Sequence, residues 1–279
     1  RAAHARFPDD TNLAALYAES LMNLHPWDIW QKDGSPHPWT AEIVGVIESI
    51  LAKDPDNIVA NHMYIHATEA SNEAHKAKPS AERLGALAPG AGHLVHMPSH
   101  IYIRTGDYRL GSAANLQAII VDSAYLSLNH VGGPYPLGYF PHNYHFLVAT
   151  AALEGNSALA LEAALRMARQ IDTVMMREPV MSTLQHYRYI PLYTMVKFQK
   201  WDDILAYPIP AADLLYPRVV WRYARGMAFV GKGDLYKARL ELTSVDAMKD
   251  DPQLEEVTIW YINNAGQLAN IASRRNSLG

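Results

Sequence analysis

The chain has 279 residues, of which 49% are hydrophobic and 19% charged, and its formal net charge is -4 at pH 7. This composition is typical of a globular protein with a sizeable core, and the absence of a basic stripe argues against a nucleic-acid partner. No apolar run approaches the roughly 20 residues that a membrane-spanning helix needs. We therefore expect a soluble protein without a membrane span.

The sequence contains no cysteine and thirteen histidines. Disulfides, thiolate metal ligands and cysteine nucleophiles are therefore excluded. A chain without cysteine suits either a reducing or an oxidising compartment, so the compartment stays open, with the cytoplasm favoured. The chain begins at Arg1 rather than Met. We expect residues 1–279 to be a single domain that forms the C-terminal part of a longer protein.

Apolar residues recur with helical spacing on both sides of short turns, which predicts a series of helix-turn-helix units. The first unit starts near residue 11, after FPDDTN, and the second near residue 58, after DPDN. The third and fourth start near 92 and 141, with turns at Gly106 and Gly155. A weaker unit near 185 contains Trp201, the next near 219 has its turn at Gly233, and the last starts near 253. The sequence therefore predicts an all-α fold.

The units resemble the tetratricopeptide repeat family, whose 34-residue pattern combines a small residue, a turn glycine, an aromatic residue and an alanine. Gly106, Gly155 and Gly233 match the turn glycine, and Tyr108 and Trp201 match the aromatic residue. The resemblance covers nearly the whole chain, as a divergent, histidine-rich member. It implies a right-handed α-α superhelical solenoid of about six to seven helix pairs with loop insertions.

Three spacings between units exceed the repeat length, which implies insertions after the first, third and fourth units. Two inserted segments, HPWDIWQKDGSPHPW and NHVGGPYPLGYF, are rich in proline, glycine and aromatic residues. Long loops in a compact domain often form a lid or rim of a functional site. The alternative is that these loops cover apolar surface.

In the resembling family the first helix of each unit lines a concave groove, through positions that share one helix face. The register set by the glycines places histidines at these positions in consecutive units. The candidate metal ligands are His62, His66, His93, His96, His100, His142 and His145. Two histidines spaced i, i+4 on one helix can bind the same ion, and imidazole is a ligand for Cu, Fe and Zn.

We therefore expect a transition metal ion, Cu, Fe or Zn, in the groove. Six or more histidines exceed one tetrahedral site, so a dinuclear centre is conceivable. Glu19 and Glu69 share the groove face and are candidate catalytic residues, as a general base or as groups that orient a histidine. A neutral histidine-rich pocket and ordinary core histidines are the alternatives. Pro98 and Pro191 fall mid-helix, where proline kinks a helix or begins a new one.

Further residues of the same face are aromatic or basic, and Arg104, Tyr189, Tyr193 and Lys197 are candidate substrate-binding residues. An aromatic wall with two cations suits a small anionic or aromatic substrate such as a carboxylate. Helix-packing tyrosines are the alternative interpretation.

The favoured function is that of a metal-dependent enzyme acting on a small molecule. Oxygen activation at Cu or Fe is preferred to hydrolysis at Zn, and the scarcity of carboxylates argues against a carboxylate-bridged di-iron centre. One alternative is a peptide- or protein-binding scaffold without catalysis, which is the usual role of the resembling family. Another is a metal-storage or metal-delivery protein.

Overall fold

The computed structural model describes residues 1–129, 131–260 and 263–277. These residues are mostly helical with almost no strand, and the all-α prediction is confirmed. The chain divides into two compact units, residues 1–131 and 132–279. That residues 1–279 form a single domain stays a prediction. Within the described ranges no helix is both long enough and apolar enough to cross a membrane.

The first unit consists of helices in which chain neighbours pack against one another, α2 on α3, α3 on α4, and α6 and α7 on α8. Its helices are α1 (Ala2–Arg6), α2 (Thr11–Leu24), α3 (Thr40–Lys53), α4 (Ile58–Thr68), α5 (Lys78–Leu87), α6 (Gly92–His96), α7 (Pro98–Thr105) and α8 (Tyr108–Leu128). A short 3₁₀ helix, Ala74–Ala77, precedes α5.

Two helices of this unit begin at the predicted residues because a side chain caps each of them. The Asp10 carboxylate accepts hydrogen bonds from the backbone N–H groups of Asn12 and Leu13, and α2 begins at Thr11. The Asn57 side chain does the same for Ala60, and α4 begins at Ile58. Such caps satisfy backbone donors that have no partner within the helix.

The core of the first unit is formed by apolar side chains of α2, α3, α4 and α7. Ile43 and Ile47 of α3 are fully buried, as are Ala18 of α2, Ile65 of α4 and Ile101 of α7. Full burial of one such isoleucine contributes roughly 1.5–3 kcal/mol. This packing fixes α4 and α7, the helices that carry three of the candidate histidines.

The segment 25–39 lies between α2 and α3, within the first helix pair, whereas the sequence placed this insertion after the pair. The indole N–H of Trp30 donates to the carbonyl of Ala67 at 2.6 Å, which fixes the segment against α4. The indole N–H of Trp39 donates to the Asp28 carbonyl at 2.8 Å. The rings of His25 and His37 stack on Trp39. These contacts give the insertion a defined structure.

The second unit is also built mainly from helices that pack on their chain neighbours. Its helices are α9 (Phe140–Glu154), α10 (Ser157–Gln170), α11 (Thr183–Lys197), α12 (Trp201–Ala206), α13 (Leu215–Gly231), α14 (Leu235–Met248), α15 (Gln253–Glu256) and α16 (Ala265–Ser277). Single turns of π-helix at Tyr135–Tyr139 and of 3₁₀ helix at Met175–Arg177 and Pro179–Met181 occupy the remaining insertions.

A helix begins at Gln253 as predicted, but the prediction that it forms a helix-turn-helix unit is wrong. After the four residues of α15, strands β1 (Thr258–Ile259) and β2 (Asn263–Asn264) form a small antiparallel ladder that leads into α16. The Ser182 hydroxyl donates to the carbonyl of Thr258 and accepts from its N–H group. The Thr183 hydroxyl oxygen accepts from the N–H of Trp260. These contacts with the start of α11 hold the segment extended.

Pro98 and Pro191, both predicted to fall mid-helix, occupy different positions in their helices. Pro98 begins α7, where a missing N–H costs nothing. His93 and His96 lie on the preceding helix α6 rather than in a loop. Pro191 lies inside α11, which continues to Lys197. Gly106 and Gly155 end α7 and α9 at the predicted turns, both with a left-handed φ of 83°.

We predict that Gly92→Ala lowers the free energy of unfolding by about 1–3 kcal/mol, the usual cost of overpacking. An added Cβ at Gly92 would lie 1.9 Å from an oxygen of the buried Asp122 carboxylate, so this carboxylate or the backbone of α6 would have to shift. The matched control is Gly45→Ala, inside α3, where an added Cβ meets nothing within 4 Å. This control should raise stability by about 0.5–1 kcal/mol. Urea denaturation measures both changes, and equal effects would contradict this packing.

Candidate metal centre

Five of the predicted metal ligands lie in the first unit and face one another. His62 and His66 are one turn apart on α4, His93 and His96 lie on α6, and His100 lies on α7. The ring centroid of His62 lies 5.0 Å from that of His66 and 5.2 Å from that of His93. His100 has its ring centroid 5.2 Å from His66 and 4.8 Å from His96. We call these five residues the histidine cluster.

The carboxylate of Glu69, at the end of α4, connects two members of the histidine cluster. Its Oε1 lies 2.8 Å from Nδ1 of His66, and its Oε2 lies 2.5 Å from Nδ1 of His100. Burial would raise the pKa of Glu69, but the charge and hydrogen bonds of His100, followed by those of His66, lower it. An ionised carboxylate only accepts hydrogen bonds, so both Nδ1 atoms are donors. In the neutral form of each ring, which a metal ion would bind, the lone pair is therefore on Nε2.

The side chain of Asn115 fixes the tautomer of His96 in the same way. The amide nitrogen of Asn115 donates to the Gly111 carbonyl at 2.8 Å, which orients the amide. The amide oxygen of Asn115 then faces Nδ1 of His96 at 2.6 Å and accepts a hydrogen bond from its N–H group. The lone pair of His96 is therefore also on Nε2. The role of Asn115 could not be predicted from the sequence, because a buried asparagine within a long helix carries no pattern that points to a histidine.

Two pairs of Nε2 atoms approach each other within the histidine cluster. Nε2 of His96 lies 2.9 Å from Nε2 of His100, and Nε2 of His62 lies 3.2 Å from Nε2 of His93. Two imidazole nitrogens bound to one ion at 2.0–2.1 Å are separated by roughly 2.9–3.4 Å at angles of about 90–110°. Both pairs have a separation that suits either an N–H···N hydrogen bond or two nitrogens that bind one metal ion.

The first unit contains two sets of three residues that could each hold a metal ion, and the sets share His66. Within each set the ligand atoms lie within 4.8 Å of one another. One set is His62, His66 and His93, and the other is His66, Glu69 and His100. In the second set both Glu69 oxygens already accept hydrogen bonds from Nδ1 atoms. Glu69 therefore acts best as a residue that positions the two rings.

Burial keeps His62, His93 and His96 neutral, which a metal ligand requires. Burial, followed by the charge of neighbouring histidines, lowers the pKa of His62 to about 3 and that of His93 to about 4. The same two causes hold the pKa of the fully buried His96 well below its ordinary value. These three neutral rings can offer lone pairs to a cation at neutral pH.

Two other predicted residues of the first unit lie outside these sets. Glu19 is exposed on α2, and the metal-capable sets found among the described residues do not include it. The Arg104 guanidinium donates to the carbonyl of Ser71 at 3.1 Å. Their catalytic and substrate-binding roles stay predictions.

The remaining predicted ligands, His142 and His145, lie on α9 in the second unit. The ring of His142 contacts Phe146 and Trp260. The ring of His145 contacts His186, whose Nδ1 lies 2.7 Å from the hydroxyl of Tyr216. Burial lowers the pKa of His145 to about 4 and that of His186 to about 3. Their role as metal ligands stays a prediction.

A cavity of about 160 Å³ in the second unit brings together three residues that the sequence singled out. Its lining includes His145, Val148, Ile190, Tyr193, Thr194 and Lys197. Lys197 is exposed and forms no ion pair with any residue that the structure describes. Burial raises the pKa of Tyr193 to about 12, so its hydroxyl is neutral. Tyr189 is buried against Tyr207 instead.

The chain was compared with protein-family models, curated proteins and solved structures, and none of them matches it.

We predict that the metal-free protein loses stability as the pH falls from about 6.5 to 5. His145 and His186 have a pKa of about 4 and about 3 in the folded state, against about 6.5 when unfolded. The unfolded chain therefore binds more protons in this range, and the stability is fully present only above pH 6.5. Carboxylates contribute little above pH 5, because their unfolded pKa lies near 4.

Urea unfolding at pH 7.5, 6 and 5 measures this slope. His186→Gln, which removes one titrating ring, should give a shallower slope. Unfolding midpoints that stay constant over this range would contradict the neutral, buried state of these histidines.

Proposed function

We propose that this protein is a metal-dependent enzyme whose first unit binds a transition metal ion through the histidine cluster. The observation that supports this most strongly is the pair of Nε2 atoms of His96 and His100, 2.9 Å apart. When both rings are neutral, their lone pairs point into the same space, because Asn115 and Glu69 accept hydrogen bonds from the Nδ1–H groups. Two lone pairs at this distance repel each other unless a cation or a proton lies between them.

The cluster has enough ligands for two ions. His62, His66 and His93 form one three-nitrogen set, and His96 and His100 form a second pair. A set of three protein ligands leaves a coordination position for water or substrate, as catalytic sites do. Hydrogen bonds from Nδ1 to a carboxylate and to an amide are the outer contacts that orient histidine ligands in metalloproteins.

The donor set is dominated by imidazole, which suits Cu, Fe and Zn. We favour an oxidoreductase at Cu or Fe over a hydrolase at Zn. Glu69 is the only carboxylate in the metal-capable sets of the described residues, which argues against a carboxylate-bridged di-iron centre. When bound, the metal would supply Lewis acidity or redox chemistry. The role of Glu69 is to hold His66 and His100 in the liganding tautomer.

The tetratricopeptide-type superhelix remains our proposal for the arrangement of the helices. It is supported by helices that begin at residues 11 and 58 and by turn glycines that end α7 and α9. A peptide-binding scaffold and a metal-storage protein are the competing functions. A scaffold would bind no metal, and a storage protein would bind it without turnover.

We predict that His66→Ala and His100→Ala each weaken metal binding at least tenfold, because each removes one nitrogen ligand. The matched control is His75→Ala, since His75 is exposed and belongs to none of the metal-capable sets. Competition titration with a chromophoric chelator measures the affinity, and circular dichroism monitors the fold. Metal affinity unchanged in both cluster variants would contradict the site.

For the cavity of the second unit we propose a ligand of its own, a small carboxylate with one ring. A cavity of about 150 Å³ with apolar walls holds one benzene ring in another protein, and this one has about 160 Å³. Val148 and Ile190 provide apolar wall, and Lys197 provides a cation that no described residue neutralises.

We predict that Lys197→Met weakens benzoate binding about fivefold and leaves the binding of neutral benzyl alcohol unchanged, since an exposed ion pair contributes up to about 1 kcal/mol. Lys200→Met is the matched control, because Lys200 is exposed and does not line the cavity. Ligand-observed NMR titration measures both affinities. Equal benzoate affinity in the two variants would show that Lys197 does not bind the carboxylate, and loss of metal in Lys197→Met would contradict the repeat register.

A further inference from the structure

The insertion 25–39 holds a tryptophan in a conformation that bulky residues avoid. Trp27 has a φ of 60°, in the left-handed region, and its side chain is 71% exposed. A left-handed conformation is unfavourable for a residue with a Cβ, and more so for a bulky one. An exposed indole recovers little of this cost through burial, so packing does not account for the choice of residue.

The surrounding contacts impose this conformation. The backbone N–H of Asp28 donates to the carbonyl of His25 at 3.1 Å, which closes a tight turn around Trp27. The indole of Trp39 bonds the Asp28 carbonyl, and the Asp28 carboxylate lies 3.1 Å from His37. His25 and Asp28, the two ends of the turn, are therefore held, while the indole of Trp27 is largely exposed.

The turn places Trp27 beside the histidine cluster. Its ring lies edge-on to His66, with ring centroids 5.9 Å apart and planes at 86°. The insertion is joined to the same part of α4, since Trp30 donates to the carbonyl of Ala67, the residue after His66. The distance between Trp27 and the cluster is therefore set by a direct hydrogen bond between the two segments.

We propose that Trp27 is a ligand-contact residue that stacks on a planar ring of the molecule bound at the histidine cluster. This inference rests on the proposed metal site and specifies the class of its ligand, a metal-binding small molecule with an aromatic or heteroaromatic ring. Backbone strain that persists beside a candidate site, without compensation from burial, is typical of ligand-binding segments. An exposed indole offers a large, rigid face, and ring-on-ring contact strengthens binding by up to about tenfold.

The test compares two hydroxamates on the Co²⁺-loaded protein, followed by the visible spectrum of the ion. Acetohydroxamate and benzohydroxamate carry the same metal-binding group and differ in the ring. The wild-type protein should bind benzohydroxamate about tenfold more tightly than acetohydroxamate. Trp27→Gly should bind both equally and retain its Co²⁺ affinity, and Trp27→Phe should keep part of the preference.

The stability of Trp27→Gly separates a ligand contact from a structural role. Glycine adopts a φ of 60° without strain, so the melting temperature should stay equal to that of the wild type or rise. A fall of several degrees would show that Trp27 is structural and would overturn the inference. An unchanged preference for benzohydroxamate in Trp27→Gly would overturn it as well, with the metal site intact. A wild-type protein that binds no Co²⁺ would overturn the metal site and this inference together.

Discussion

The first unit depends on one largely buried carboxylate. Glu69 accepts a hydrogen bond from His66 on its own helix and another from His100 on α7. This arrangement joins two helices, compensates the charge of the carboxylate, and fixes the tautomer of both rings. A buried carboxylate without such donors would be costly, and histidines without it could turn either nitrogen inwards. The same two bonds therefore stabilise the fold and define the chemistry of the cluster.

The backbone prepares this geometry before any ligand is bound. Pro98 separates α6 from α7, yet His96 and His100 lie on either side of it with their Nε2 atoms 2.9 Å apart. Gly92 allows α6 to approach the Asp122 carboxylate of α8. A site built from rigid helices loses little conformational entropy on binding, which favours affinity. The strained turn at Trp27 is the exception, and it lies where a ligand would be contacted.

Much of this site could be predicted from sequence, because helical periodicity places residues on faces. The glycine register brought His62, His66, His93, His96 and His100 to one face, and they lie together in the structure. The hydrogen bond between Asn115 and His96 and the ring contact between Trp27 and His66 could not be predicted, since both depend on how distant segments pack. The ladder β1–β2 was missed because two-residue strands have no periodicity. The substrate-binding roles predicted for Arg104, Tyr189, Tyr193 and Lys197 depend on the chemistry of the ligand, which the position of a residue on a helix face does not specify.

The most direct test of the account is anomalous X-ray diffraction from crystals of the protein grown with Co²⁺. The account predicts an anomalous peak bonded to Nε2 of His96 and His100, or of His62 and His93, at about 2.0–2.1 Å, with Glu69 still hydrogen-bonded to the Nδ1 atoms. Peaks found only at exposed histidines such as His75, or a metal bound through Nδ1 of His66 or His100, would contradict it. Either result would show that the tautomers held by Glu69 do not direct metal binding.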